Sequence, residues 1–90
     1  MKTLRISITG TVQGVFFRTY IKEKADELKV RGFARNLEDG RVEVIAEGKD
    51  ENVNEMLAYC KQGPPHSSVK NVEAIEIKNQ GFKDFKVLRL

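Results

Sequence analysis

Residues 2–28 of this 90-residue chain, KTLRISITGTVQGVFFRTYIKEKADEL, contain the change of hydrophobic period that decides the fold. In residues 2–9 apolar and polar side chains alternate, which predicts a strand with one buried face. From residue 17 onwards apolar side chains instead recur every three or four positions, which predicts an amphipathic helix. The alternating apolar residues are Leu4, Ile6 and Ile8, and the helical ones are Phe17, Ile21, Ala25 and Leu28.

The rest of the chain continues with a hairpin, a second helix and two further strands. Residues 32–37 and 41–47 predict paired strands around a turn at residues 38–40. Asp50 is the expected N-cap of the second helix, which the Gly63-Pro64-Pro65 segment ends. The apolar stripe of this helix is Val53, Met56, Leu57 and Cys60. Residues 69–77 and 85–88 predict the last strands, and broken alternation at Ala74 and Ile75 favours a bulge there.

The element order β-α-β-β-α-β predicts an α+β fold, the ferredoxin-like two-layer sandwich. In this fold two helices cover one face of an antiparallel sheet. The length fits one domain over residues 1–90. Fold alone does not define function.

The composition, with 40% hydrophobic and 32% charged residues, is typical of a folded globular domain. The net charge is +3, but basic and acidic residues are interleaved, so nucleic acid is not an expected partner. No apolar run approaches the ~20 residues of a membrane helix, and the N-terminus alternates unlike a secretory signal. The single cysteine, Cys60, cannot form an intramolecular disulfide. We therefore expect a cytoplasmic protein, without membrane association, that acts as a monomer.

The segment GTVQGVFFR, residues 10–18, has the features of an anion-binding turn. The first amides of a helix lack intrahelical acceptors and carry the positive end of the macrodipole. Gly14 allows positive φ and a close approach of backbone to a ligand. Arg18 could add a planar guanidinium that grips two phosphate oxygens. A plain two-glycine turn with a solvated arginine is the alternative, and the segment matches neither the P-loop nor GxGxxG.

Two motifs resemble signatures of the acylphosphatase family. Residues 8–18, ITGTVQGVFFR, are similar to the first signature throughout. Residues 32–36, GFARN, with Gly40, Val42 and Gly48 beyond them, are similar to the second at the right spacing. The likeness extends over essentially the whole chain, including the Gly63-Pro64-Pro65 segment and the ending at residues 85–87.

The resemblance implies hydrolysis of acyl phosphates to a carboxylate and inorganic phosphate, with phosphate as a competitive inhibitor and neither metal nor other cofactor. It implies that Arg18 binds the substrate phosphate and that Asn36 orients the attacking water. An asparagine can both donate to and accept from water without removing a proton. Taken alone, Asn36 could instead bond its own backbone beside the turn. The phosphate-binding backbone implied by the family is Gln13, Gly14, Val15, Phe16, Phe17 and Arg18.

The shortage of acids and bases around these motifs also favours an acyl phosphate. A carboxylate leaving group has a conjugate-acid pKa near ~4, so it departs unprotonated at neutral pH. An alkoxide leaving group would need an acid or a metal ion. The chain departs from many family members at Leu37, where they carry threonine after the catalytic asparagine. A hydroxyl that could help to orient Asn36 is therefore absent.

Other candidate groups have simpler interpretations. His66 follows two prolines and is expected on a surface loop, away from any recognisable catalytic partner. Cys60 completes an apolar stripe, which favours burial. The Glu38-Asp39 pair is typical of a solvated hairpin turn and not of a metal site. Ser67-Ser68 lacks the glycine pattern of a nucleophile elbow.

Two further functions remain open at this level. Residues 31–34, RGFA, match the opening of an RNA-binding RNP1 motif, in which Phe33 would stack on a base. The match then fails at residues 35–38, and the segment is on the second strand instead of the third. A regulatory domain that binds small anions without turnover would keep Arg18 and make Asn36 dispensable.

Overall fold

Residues 1–88 are those that the computed structural model describes, apart from the side chain of Val15, and they form five strands and two helices. The elements in chain order are β1 (Lys2–Thr11), α1 (Val15–Glu27), β2 (Arg31–Asn36), β3 (Val42–Gly48), α2 (Asp50–Gln62), β4 (Ser68–Ile77) and β5 (Phe85–Val87). In this described part of the chain, no helix is long and apolar enough to cross a membrane.

The strands form one sheet in the order β4-β1-β3-β2-β5. Strand β1 pairs antiparallel with β3 on one side and β4 on the other, and β3 pairs antiparallel with β2. Both helices pack on the face that carries Leu4, Ile6 and Ile8 of β1. The predicted two-layer arrangement is confirmed. The core side chains that α1 and α2 add to this layer are Phe17, Ile21, Ala25, Val53, Met56 and Cys60.

The prediction of an antiparallel sheet is wrong at β5, which runs parallel to β2 and makes the sheet mixed. The reason lies in residues 78–84, here called the strap. The strap leaves β4 near the start of β1, where Ile77 pairs with Thr3, and ends beside Gly32 near the start of β2. Because it crosses at the end of the sheet where β1 and β2 begin, the strand that follows it must run in their direction.

Glu47 of β3 anchors the strap from a fully buried position. The Thr3 hydroxyl donates to its carboxylate at 2.7 Å, and the amides of Gly81 and Phe82 donate at 2.9 and 3.0 Å. The amide of Gln80 donates to it as well. Burial by itself raises the pKa of this carboxyl, but the hydrogen bonds outweigh that effect and hold the pKa below its ordinary value of 4.5.

Two local predictions are also wrong. The irregularity of β4 lies at Lys70 and not at Ala74 and Ile75, because the pairing slips between Thr9 and Gly10. Gly10 has φ +141°, and a β-carbon there would lie 2.1 Å from the carbonyl oxygen of Ser68. The N-cap of α2 is Lys49, so Asp50 lies inside the first turn. There its negative charge interacts favourably with the positive end of the helix.

Candidate active site

The turn between β1 and α1 presents the start of a helix with its amides available. Gly14 is the N-cap residue of α1, with φ +119° and ψ +166°. Among residues 1–88, no side chain caps this turn by a hydrogen bond, and the first turn of α1 contains no acidic residue. The positive end of the helix is therefore free to bind an external anion.

The side chain of Gln13 ties this turn to the hairpin between β2 and β3. Its Nε2 donates to the carbonyl oxygen of Leu37 at 2.9 Å and to that of Arg41 at 3.3 Å. Leu37 directly follows Asn36 in the chain. The anion-binding turn and the residue next to Asn36 are thus held in one hydrogen-bonded unit.

The register of the sheet places Asn36 on the same side as the helices. Asn36 pairs with Val42 of β3, and Val42 pairs with Ile8 of β1. Ile8 and Val42 are buried beneath the helices, and side chains in one row of paired residues point to one face. Asn36 therefore faces the helical layer at the end of the sheet where β1 leads into the turn.

Arg18 and Asn36 each keep a buried polar atom unused. Within the described residues, Arg18 Nε and Asn36 Oδ1 are buried and have no hydrogen-bond partner. Buried polar groups in native proteins are nearly always bonded, so such exceptions mark strain or a site for a ligand or water. One atom is a donor on a permanent cation and the other is a neutral acceptor. The first suits a phosphate oxygen and the second suits a water hydrogen.

Comparison with known proteins gives the family. The model of the acylphosphatase family matches residues 4–87. This chain belongs to the acylphosphatase family. The acylphosphatase of Methylococcus capsulatus is 44% identical, over 99% of this chain and 98% of that relative.

Solved structures agree with this assignment. The crystal structure of the acylphosphatase from Bacillus subtilis has a TM-score of 0.94 and 34% identity, over 99% of this chain and all of that one. The acylphosphatase from Coxiella burnetii has a TM-score of 0.91 and 36% identity, over 97% and 92% of the two chains. The predicted resemblance of the chain to the acylphosphatase family is thus confirmed.

The side chains of the predicted phosphate-binding segment have different environments. Gln13 and Gly14 are exposed, and Phe16 is 85% exposed. Phe17 is buried in the core, and its ring centroid lies 6.5 Å from that of Tyr20. Phe17 can therefore contribute only its backbone to a phosphate site, whereas the ring of Phe16 faces solvent.

Cys60, His66 and Asp39 have structural environments that account for them without a catalytic role. Burial raises the pKa of the Cys60 thiol to about 12, so it stays protonated at neutral pH. His66 is exposed on a loop with φ +69°. Asp39 accepts hydrogen bonds from the backbone and guanidinium of Arg41, as a turn residue does.

The RNA-binding alternative loses its main support in the structure. The ring of Phe33 packs edge-to-face against Phe82 of the strap, with centroids 5.9 Å apart. Arg35 is paired with Glu43 at 2.8 Å. Both residues are thus engaged in contacts within the chain, and Phe33 is partly buried.

The sequence did not predict a cleft of about 540 Å³ beside the turn. One wall belongs to α1 and the other to the loop that precedes β4. The adjacent phenylalanines at positions 16 and 17 offered a hint, since a helix buries only one of two neighbouring side chains. The residues that line it include Thr11, Phe16, Tyr20, Pro64, Pro65 and His66.

Proposed function

We propose that this chain hydrolyses acyl phosphates by direct attack of water on phosphorus, without a phosphoenzyme. Hydrolysis of acyl phosphates is the reaction of the family to which the chain belongs. The main support for the roles of its residues is the pair of buried atoms, Arg18 Nε and Asn36 Oδ1, whose bonding capacity residues 1–88 leave unused.

Arg18 and the backbone of residues 13–18 form the proposed phosphate site. Placement of an anion at a helix start is worth about 0.3 to 2 kcal/mol. Each hydrogen bond to a charged group adds about 1.5 to 3 kcal/mol. Several such contacts together hold a phosphoryl group in a fixed orientation, and they also stabilise the charge on its equatorial oxygens during transfer.

Asn36 is the proposed water-positioning residue. Its buried Oδ1 accepts a hydrogen from the attacking water, which leaves a water lone pair free to point at phosphorus. The carboxamide does not remove the proton. Positioning is enough here because the transition state of phosphoryl transfer is loose and the carboxylate leaves without protonation.

The proposal includes phosphate as both product and competitor. Inorganic phosphate has the charge and the tetrahedral oxygens that the turn and Arg18 would bind in the substrate. It should therefore compete with substrate, and it should raise the melting temperature by binding only the folded state. We also propose that the chain acts as a monomer in a reducing cytoplasm, where the buried Cys60 stays free.

The test assigns separate roles to the two residues. Wild type should hydrolyse benzoyl phosphate in the presence of EDTA. Arg18→Gln should weaken phosphate binding about 10- to 100-fold, as expected for the loss of charge-assisted bonds. Asn36→Ala should retain phosphate binding and lose turnover about 100-fold or more. Initial rates and phosphate-induced shifts in melting temperature measure the two effects.

Three results would contradict this proposal. Complete loss of turnover on chelation would reject hydrolysis without a metal. Equal loss of phosphate affinity in both folded variants would reject the separate roles. Phosphate binding by a wild type that hydrolyses neither benzoyl nor acetyl phosphate would favour a regulatory anion-binding domain.

A further inference from the structure

We propose that the cleft beside Phe16 binds the acyl group of the substrate and makes the enzyme favour acyl phosphates with an aromatic or other large apolar acyl group. This inference rests on the proposed function. It adds a specificity-determining surface to the phosphate and water sites described above.

The sheet order places the cleft and Asn36 on opposite sides of the anion-binding turn. Strand β1, which leads into the turn, lies between β4 and the β3-β2 pair. Asn36 ends β2 on one side. On the other side, Thr11 of β1 pairs with Ser68, the first residue of β4, and residues 64–67 come directly before it. The turn is thus flanked by Asn36 on one side and by the cleft on the other.

The geometry of phosphoryl transfer gives this placement a chemical meaning. The attacking and leaving oxygens lie roughly in line through phosphorus. Water held by Asn36 approaches from the β2 side, so the carboxylate must leave towards the β4 side. In this step the water oxygen bonds to phosphorus, the bond from phosphorus to the acyl oxygen breaks, and that oxygen keeps the electron pair. The water protons pass to the solvent and the phosphate.

The walls of the cleft suit an apolar acyl group. The exposed ring of Phe16 projects from the segment that holds the phosphate, and Tyr20 lies one helical turn beyond it. Pro64, Pro65 and His66 form the facing wall. The volume of about 540 Å³ is within the range of small-molecule sites. An aromatic ring can pack on both Phe16 and the proline wall.

The experiment compares kcat/KM for benzoyl phosphate and acetyl phosphate in wild type and three variants. The two substrates differ in intrinsic reactivity, so the informative quantity is the change in their kcat/KM ratio on substitution. Phe16→Ala removes one wall of the cleft. His66→Asn trims the other, and asparagine tolerates the positive φ at this position. Ile75→Ala is the matched control, since Ile75, like Phe16, is a large exposed hydrophobic residue, but it lies on β4, outside the cleft.

The benzoyl-to-acetyl ratio should fall about three- to tenfold in Phe16→Ala. It should fall in the same direction in His66→Asn and stay within about twofold of wild type in Ile75→Ala. An unchanged ratio in both cleft variants, or an equal fall in the control, would overturn the proposal. If Phe16→Ala does not fold, the benzoyl-to-acetyl ratio in His66→Asn tests the proposal by itself. A wild type inactive on both substrates would instead reject the proposed function.

Discussion

At the scale of single residues, Gln13 connects the proposed phosphate site to the proposed water site. Its carboxamide bridges to the carbonyls of Leu37 and Arg41, so Gln13→Ala should loosen the turn relative to Asn36. The loss of a hydrogen bond of about 1 kcal/mol should lower kcat/KM about fivefold. Steady-state kinetics with benzoyl phosphate measure this. Gln62→Ala, at the end of α2, is the control and should match wild type; equal rates for the two variants would exclude a positioning role for Gln13.

Arg18 and Asn36 could be proposed as site residues from the sequence because the motifs around them resemble family signatures. The hydrogen bonds of the Gln13 side chain could not be predicted from the sequence, because their acceptors lie 24 and 28 residues further along the chain. The orientation of Asn36 also depends on its register with Val42 and Ile8, which periodicity within one strand does not define.

At the scale of elements, the start of α1 depends on the backbone of Gly14. A β-carbon at Gly14 would meet no atom within 4 Å, so Gly14→Ala would act through the cost of φ +119° alone. That cost is about 1 to 3 kcal/mol. A change of φ that removes the strain would turn the amides away from a bound anion. We expect phosphate affinity to fall about tenfold, measured by titration calorimetry.

Gly40 in the hairpin turn provides the matched control for Gly14. Its φ is +94°, and a β-carbon there would also meet nothing within 4 Å. Gly40→Ala should lower the melting temperature to a similar extent but retain phosphate affinity. A similar loss of affinity in both variants would show that Gly14 matters for stability and not for the anion site.

The helices and the central strands were predictable because their periodicity comes from one buried face. The predicted N-cap at Asp50 and the predicted bulge in β4 were wrong for local reasons. A side chain inside the first turn has the same electrostatic benefit as a cap, so an acid at position 50 does not define which residue is the N-cap. The slip at Lys70 follows from the close approach of Gly10 to Ser68, which only the paired strands reveal.

At the scale of the whole molecule, Glu47 fixes the strap that carries the chain from β4 to β5. The folded-state pKa of Glu47 lies below its ordinary value of 4.5, so its stabilising effect is complete above that pH. This stabilisation is lost as the pH falls from 4.5 through the folded-state pKa, because the carboxylate then becomes protonated. Glu47→Gln should lower the free energy of unfolding by about 2 kcal/mol at pH 7, and the gap to wild type should narrow below pH 4.5.

Chemical denaturation from pH 3 to pH 7 measures this gap. Glu55→Gln, on the exposed side of α2, is the control and should stay within about 0.5 kcal/mol of wild type throughout. A gap between Glu47→Gln and wild type that does not change with pH would show that packing, and not the carboxylate charge, anchors the strap.

The position of β3 between β1 and β2 has a consequence for how activity arises during folding. The strand that leads to the turn and the strand that ends at Asn36 do not pair with each other, and both are aligned by the strand between them. That alignment pairs Ile8 with Val42, which are far apart in the sequence, so the pairing carries an entropic cost of closing the chain between them. The proposed site therefore assembles only when this middle strand has docked between the other two.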